Sequence, residues 1–277
     1  MAVELTLAKG ALIALAGGGA GFINAIVGSG TLISFPTLLG TGFERVAANM
    51  ANNIGLAPGS FSAVIGYRRE LVGQRRRLLT LGPASALGGL TGALLLLTLP
   101  SRAFNTIVPF LVLLGVALVI AQPIVQKRLK ARRADAASSE VTLESGAAGL
   151  GSSNQVAQSE RIRPVVIFVV FLTGIYGGYF GAGQGVILTG LLGMALTDDM
   201  QRINAAKNVL AGLVNGVAAV VFIVLRPIAW PPAILIAVGS VIGAQIGAKV
   251  GRRIQPNILR ALIVVIGLVV AIKLLLG

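Results

Sequence analysis

Eight apolar runs dominate the 277-residue sequence, and they constrain the fold more than any other feature. They cover residues 5–39, 46–67, 78–99, 104–125, 165–196, 205–225, 228–250 and 258–276. A bilayer core takes about 20 apolar residues to cross as a helix. Hydrocarbon offers no partner for a bare peptide group, so runs of this length must be helices or barrel strands. The alternation of a barrel strand is missing. The expected fold class is therefore an all-α polytopic membrane protein. Hydrophobic residues make up 55% and charged residues 12% of the chain, about half the charged share of a soluble domain.

The chain has no histidine and no cysteine, which argues against a disulfide scaffold, a thiolate or imidazole metal site and a His-based triad. The nine carboxylates fall in loops or at the ends of runs. No catalytic residue, metal site or cofactor is expected, and no enzyme. Glu4 ahead of the first run, and the length of that run, argue against a cleaved signal peptide. The formal charge of +14 fits basic loops that meet anionic lipid, so no nucleic-acid partner is expected. Whether the protein works as a monomer or a homodimer is left open.

The two halves are copies. A shift of 153 places Gly21 on Gly174, Gly28 on Gly181, Gly30 on Gly183 and Gly40 on Gly193. A two-residue insertion near Asp198-Asp199 changes the shift to 155. Asn49 then falls on Asn204, Asn53 on Asn208, Gly88 on Gly243 and Gly92 on Gly247. Two asparagine coincidences in one register carry more weight than the glycines, because asparagine is uncommon in lipid-embedded helices. The expected organisation is a transmembrane repeat over 1–125, a basic then flexible cytoplasmic linker over 126–163, and a second transmembrane repeat over 164–277.

Each repeat opens with a glycine-interrupted run, followed by three plain ones. Paired interruptions of this kind point to the substrate site of a transporter. If the interrupted runs fold back as re-entrant hairpins, the repeats are inverted. The cytoplasmic side then holds 18 of the 23 Lys and Arg, against 15 for parallel repeats. The bias toward positive charge inside favours the inverted arrangement.

The motif Gly174-x-x-x-Gly178-x-x-Gly181-x-Gly183-x-Gly185 is echoed by Gly21-x-x-x-Ala25-x-x-Gly28-x-Gly30. With Gly88/Gly92 and Gly243/Gly247, it resembles the TauE/SafE family of membrane permeases. The resemblance implies a multi-pass protein of the bacterial inner membrane that exports sulfite or a small organosulfonate. Thiosulfate and sulfoacetate are alternatives within transport. A scaffold, or the permease subunit of a larger complex, is the rival class.

A broken helix exposes N–H groups at the start of its second part, and these suit an anion. The candidate substrate-binding residues at the breaks are Ser29, Gly30, Thr31, Gly183, Gln184 and Gly185. A polar stripe on the next helix adds Asn49 and Asn53 in the first half, and Asn204, Lys207 and Asn208 in the second. Asn52, Ser60 and Asn215 lie on the same stripes. The small anion is thus one expected partner and anionic lipid the other. Lys207 has two readings. It is a ligand of the anion, or it snorkels to the interface. Tyr176 and Tyr179 flank the second break and either line the pathway or pack.

Overall fold

The computed structural model describes residues 5–146, 162–196, 198–250 and 256–276. Ten α-helices are described: α1 (Leu7–Ile26), α2 (Thr31–Gly40), α3 (Arg45–Gly66), α4 (Arg75–Thr98), α5 (Ser101–Gly146), α6 (Pro164–Tyr179), α7 (Gln184–Ala195), α8 (Met200–Leu225), α9 (Trp230–Val250) and α10 (Pro256–Leu276). The two interrupted runs have become the pairs α1–α2 and α6–α7. Among the described residues five helices are long and apolar enough to cross a membrane: α1, α4, residues 101–128 of α5, α8 and α9. The 22-residue α3 is long enough, but Asn49, Asn52, Asn53, Ser60 and Ser62 make it too polar by composition. It is tolerated because those five side chains are buried among other helices. Large apolar side chains such as Leu15, Phe168 and Val224 are exposed, as a lipid-facing belt requires.

α5 continues past its apolar run, through the basic segment, to Gly146. Lys127, Arg128, Lys130, Ala131, Arg132 and Arg133 are strong helix formers, so the helix has no local reason to stop. The rest of the expected linker, residues 147–161, lies outside the described residues.

The breaks are set by glycine. Gly28 and Gly183 hold φ of +87° and +79°, in the left-handed region where a Cβ is strained. After each break the chain folds back. Ile33 of α2 returns to Gly19 of α1, with its Cγ2 4.0 Å from where a Gly19 Cβ would stand. Gln184 at the start of α7 likewise lies against Gly177 of α6. At about 1.5 Å per residue, the 10-residue α2 and the 12-residue α7 reach about halfway through a bilayer core.

Small residues let the long helices approach closely. α1 lies along α9 in the same direction, Gly17 against Ile236, Gly21 against Ser240 and Ala25 against Gly247. α6 lies along α4 in the same way, Gly174 against Gly88 and Tyr179 against Gly92. α3 also runs parallel to α9, with Gly55 on Ile236 and Gly66 on Ala248. α3 and α8 run in opposite directions. The amide of Gln74, just beyond α3, donates to the Arg202 carbonyl at the start of α8 at 3.0 Å. Halfway along, the Asn215 amide donates to Ser60 Oγ at 3.2 Å. Ser240 donates to the Gly55 carbonyl at 2.7 Å, and Ser85 to the Leu210 carbonyl at 3.0 Å. The two donors are 155 residues apart, and so are the two acceptors, the shift that relates the two halves.

A Cβ on Gly239 would stand 2.6 Å from the Gly18 nitrogen, whereas one on Gly40 would meet nothing within 4 Å. Gly239→Val is therefore expected to destabilise the bundle by about 1–3 kcal/mol, the usual cost of overpacking. Gly40→Ala is expected to be neutral or slightly stabilising. Thermal unfolding of both variants in detergent measures the difference.

Candidate functional site

The two breaks meet at the centre of the bundle. The Gly185 N–H donates to the Gly28 carbonyl at 3.0 Å, and there is no room for a Cβ on either glycine. Ser29, Gly30 and Thr31 therefore lie beside Gly183, Gln184 and Gly185, and all six are buried.

The polar stripes serve the breaks in two ways. In the second half, three side chains close on the last carbonyls of α1. Asn204 and Asn208 donate to the Ala25 carbonyl at 3.0 and 3.3 Å. Lys207 Nζ donates to the Asn24 carbonyl at 2.9 Å and to that of Ala25 at 3.4 Å. A helix end in hydrocarbon leaves such carbonyls without partners, and cationic donors suit the negative end of its dipole. Lys207 is fully buried and so does not reach the interface. Its described partners are carbonyls only.

In the first half, Asn49 donates to the Tyr179 carbonyl at the end of α6, at 2.8 Å. Asn53 turns back on its own helix, to the Asn49 carbonyl at 3.2 Å. Asn52 holds α2 instead. It donates to Thr31 Oγ1 at 3.2 Å and accepts from Ser34 Oγ through a short bond. Asn52 and Ser34 were missed as members of the site. Asn52 stands on the polar stripe, at the position equivalent to Lys207, and that was the available signal. Ser34 gave none, because a serine in an apolar run is ordinary.

Several donors at the centre have no partner among the described residues. The N–H groups of Ser29, Gly30 and Thr31 meet no backbone acceptor. Ser29 Oγ and Gln184 Nε2 are buried without a hydrogen bond. A buried polar group without a partner costs about 1–3 kcal/mol. Ser29 Oγ and Gln184 Nε2 are both donors that an acceptor oxygen would satisfy. The first three N–H groups of α7 are already engaged, with Gly181, Gly28 and Gly183, and the N–H groups of Ala182 and Gly183 just before them meet no backbone acceptor.

Aromatic side chains close one end of the centre. Phe35 and Phe180 meet edge to face at 5.1 Å, and Phe104 lies 5.6 Å from Tyr179 and 6.3 Å from Phe180. Tyr176 donates to the Ala182 carbonyl inside the second break. The opposite end carries Arg68, Arg69 and Arg75–Arg77. There the Asp198 carboxylate takes part in ion pairs with Arg77 and with Arg202, the latter at 3.0 Å. Burial pushes the Asp198 carboxyl up, but the hydrogen bond and charge of Arg77, then those of Arg202, outweigh it and hold it below the usual carboxylate range.

Crossing helices, two broken helices that fold back and a buried polar centre fit a membrane transporter. The chain belongs to the TauE/SafE family: residues 13–274 match the family described as "Sulfite exporter TauE/SafE". It is similar to the "Probable membrane transporter protein ORF9" of Sinorhizobium sp, with 28% identity over 92% of this chain and 88% of that one. It is also similar to the "Probable membrane transporter protein YfcA" of Escherichia coli K12, at 25% over 92% and 86%. A "Probable membrane transporter protein" of Haemophilus influenzae shows 24% over 92% and 90%. No solved structure matches the chain.

The bonding pattern separates residues that hold the site from residues that wait in it. Ser29→Ala removes no bond and is expected to leave stability within about 0.5 kcal/mol. Asn49→Leu strips the Tyr179 carbonyl of its side-chain donor and is expected to cost about 1–3 kcal/mol, whereas Asn204→Leu leaves the Ala25 carbonyl to Asn208 and Lys207 and is expected to cost less. Thermal unfolding without added anion tests the contrast, and a Ser29→Ala loss as large as that of Asn49→Leu would overturn it.

Proposed function

We propose that this protein is a secondary transporter or facilitator that exports a small sulfur oxyanion, sulfite or an organosulfonate, across the bacterial inner membrane. The observation that carries the proposal is the fully buried Lys207, whose described partners are carbonyls alone, in the same bundle as the unpartnered donors of Ser29, Thr31 and Gln184. A cation deep in a bilayer costs at least about 2.5–3.5 kcal/mol, and an anion at the centre offsets that cost. The family description names sulfite, and a pyramidal oxyanion with three acceptor oxygens suits several convergent N–H and O–H donors. The substrate sits between Ser29, Gly30 and Thr31 on one break and Gly183, Gln184 and Gly185 on the other. Lys207 supplies charge. Asn49, Asn53, Asn204 and Asn208 keep the broken ends in place or turn their amides to the anion when the breaks move. Because these residues are buried, entry and exit require the re-entrant segments to shift.

We also propose inverted repeats. The supporting geometry is the opposite direction of α3 and α8, and the way α2 folds back so that α1 and α3 both run parallel to α9. In this arrangement the end with Arg68–Arg77 faces the cytoplasm and the Arg226 end faces outside. A membrane-impermeant thiol reagent tests it, since the chain has no native cysteine. Gly73→Cys should be labelled only from the cytoplasm and Pro227→Cys only from outside. Labelling of both from one side would sink the arrangement.

The substrate is tested by thermal shift of the purified protein against sulfite, thiosulfate, sulfoacetate, sulfate and chloride. A ligand that binds only the folded state raises the melting temperature. Sulfite or an organosulfonate should give the largest shift, and flux into liposomes holding this protein alone should follow the same order. Ser29→Ala and Lys207→Gln should each weaken binding by about 1–3 kcal/mol, roughly five- to 150-fold. A protein that moves no anion in liposomes would be a scaffold or a subunit of a larger permease.

A further inference from the structure

α7 reaches the centre with one end and a polar network with the other. At its inner end Gly185 meets Gly28. At its outer end the connector to α8 carries Asp198, which takes part in ion pairs with Arg77 of α4 and Arg202 of α8. Arg202 also donates to the Val72 carbonyl at 3.0 Å, and Gln74 donates to the Arg202 carbonyl at 3.0 Å. Arg77 donates to Gln74 Oε1 at 3.0 Å, and Gln74 to the Glu70 carbonyl at 2.8 Å. These bonds tie the α7–α8 connector and the first turn of α8 to the α3–α4 loop and the start of α4.

The repeat does not reproduce the network. Asp198 lies near the two-residue insertion, while Arg202 and Arg77 correspond to Ala47 and Pro232. At the opposite end the described contacts are Arg45 to the Asn105 carbonyl and Arg226 to the Leu97 carbonyl, with no ion pair among the described residues. That end is closed by the cluster of Phe35, Phe104, Tyr179 and Phe180. The second half has therefore gained a charged fastening at one end only, at the root of one re-entrant helix. α7 also has room to move. A cavity of about 240 Å³ lies between α5, α6 and α7, lined by Leu118, Gln122, Val169, Val186, Thr189 and Met194.

We propose that Asp198, with Arg77 and Arg202, is the latch of a gate at the basic end of the transporter. While the latch is closed, α7 stays packed on α8. When the ion pairs part, α7 shifts toward α5 and opens the centre to the compartment on that side. The proposal rests on the transport reading above, but its test needs no substrate.

Ala206 of α8 is fully buried in the apolar cluster that also holds Leu188 and Leu192 of α7, so it should become accessible when α7 and α8 separate. The whole chain carrying Ala206→Cys is treated, in membranes opened on the basic side, with a membrane-impermeant maleimide. Labelling should be slow with the latch intact. It should rise at least tenfold on adding Asp198→Asn or Arg77→Gln. Asp199→Ala, which loses the cap on the Gln201 N–H, should change the rate less than twofold. Unchanged labelling in both latch variants would overturn the proposal, and so would an equal rise in Asp199→Ala, which would mean that the end of α8 merely frays. If Asp198→Asn fails to accumulate in the membrane, Arg77→Lys decides. It keeps the charge but loses the planar donor fork, and should give a severalfold rise. No rise there would overturn the latch. Absence of anion flux would remove the transport reading without touching this result, and an intact flux with unchanged labelling would remove the latch alone.

Discussion

A helix that stops inside hydrocarbon leaves peptide groups that lipid cannot satisfy, and the rest of this structure depends on how those groups are met. α1 and α6 both stop in that way. The open carbonyls of α1 are taken by Asn204, Lys207 and Asn208, and the Tyr179 carbonyl of α6 by Asn49. These side chains need α3 and α8 beside the breaks. That in turn fixes which faces of α3 and α8 are polar, and leaves α4 and α9 to cover their other sides. The fold is organised around two repaired breaks, with the lipid-facing belt outside them.

Close packing makes the repair possible. Hydrocarbon gives no hydrophobic drive between helices, so contact area and interhelical hydrogen bonds must hold them together. Glycine at 17, 21, 239 and 243 brings α1 and α9 into backbone contact, and glycine at 88, 92, 174 and 178 does the same for α4 and α6. Ser240 to Gly55 and Ser85 to Leu210 add two equivalent hydrogen bonds between the halves. The two scaffolds hold the re-entrant segments between them, so the short helices α2 and α7 need little stability of their own. Elements of that kind are the ones available for motion.

The two halves share a plan and differ in charge. Where the first half has Asn52, which binds α2, the second has Lys207, which binds the end of α1. Where the first half connects α2 to α3 without an ion pair among the described residues, the second inserts Asp198 and ties it to two arginines. The bundle thus repeats in plan and differs in charge, with an aromatic cluster toward one end and ion pairs at the other.

The helices, the places where two of them break and the polar stripes were legible in the sequence, because each is a local property. Apolar length fixes a span, glycine permits the turn at residues 28 and 183, and asparagine at three- and four-residue spacing makes a face. The bonding partners were not legible. Asn204 reaches a carbonyl 179 residues away and Asn49 one 130 residues away, and no periodicity encodes such pairings. Composition left Lys207 open between a ligand and a snorkelling side chain. Its depth of burial and the nearby end of α1 decided that it stays inside. Asp198 read as a loop carboxylate at the end of a run. Its pairing with Arg77 followed only when the start of α4 was brought beside the root of α7, because an ion pair between distant segments depends on where the fold sets them down and not on what surrounds each in the chain.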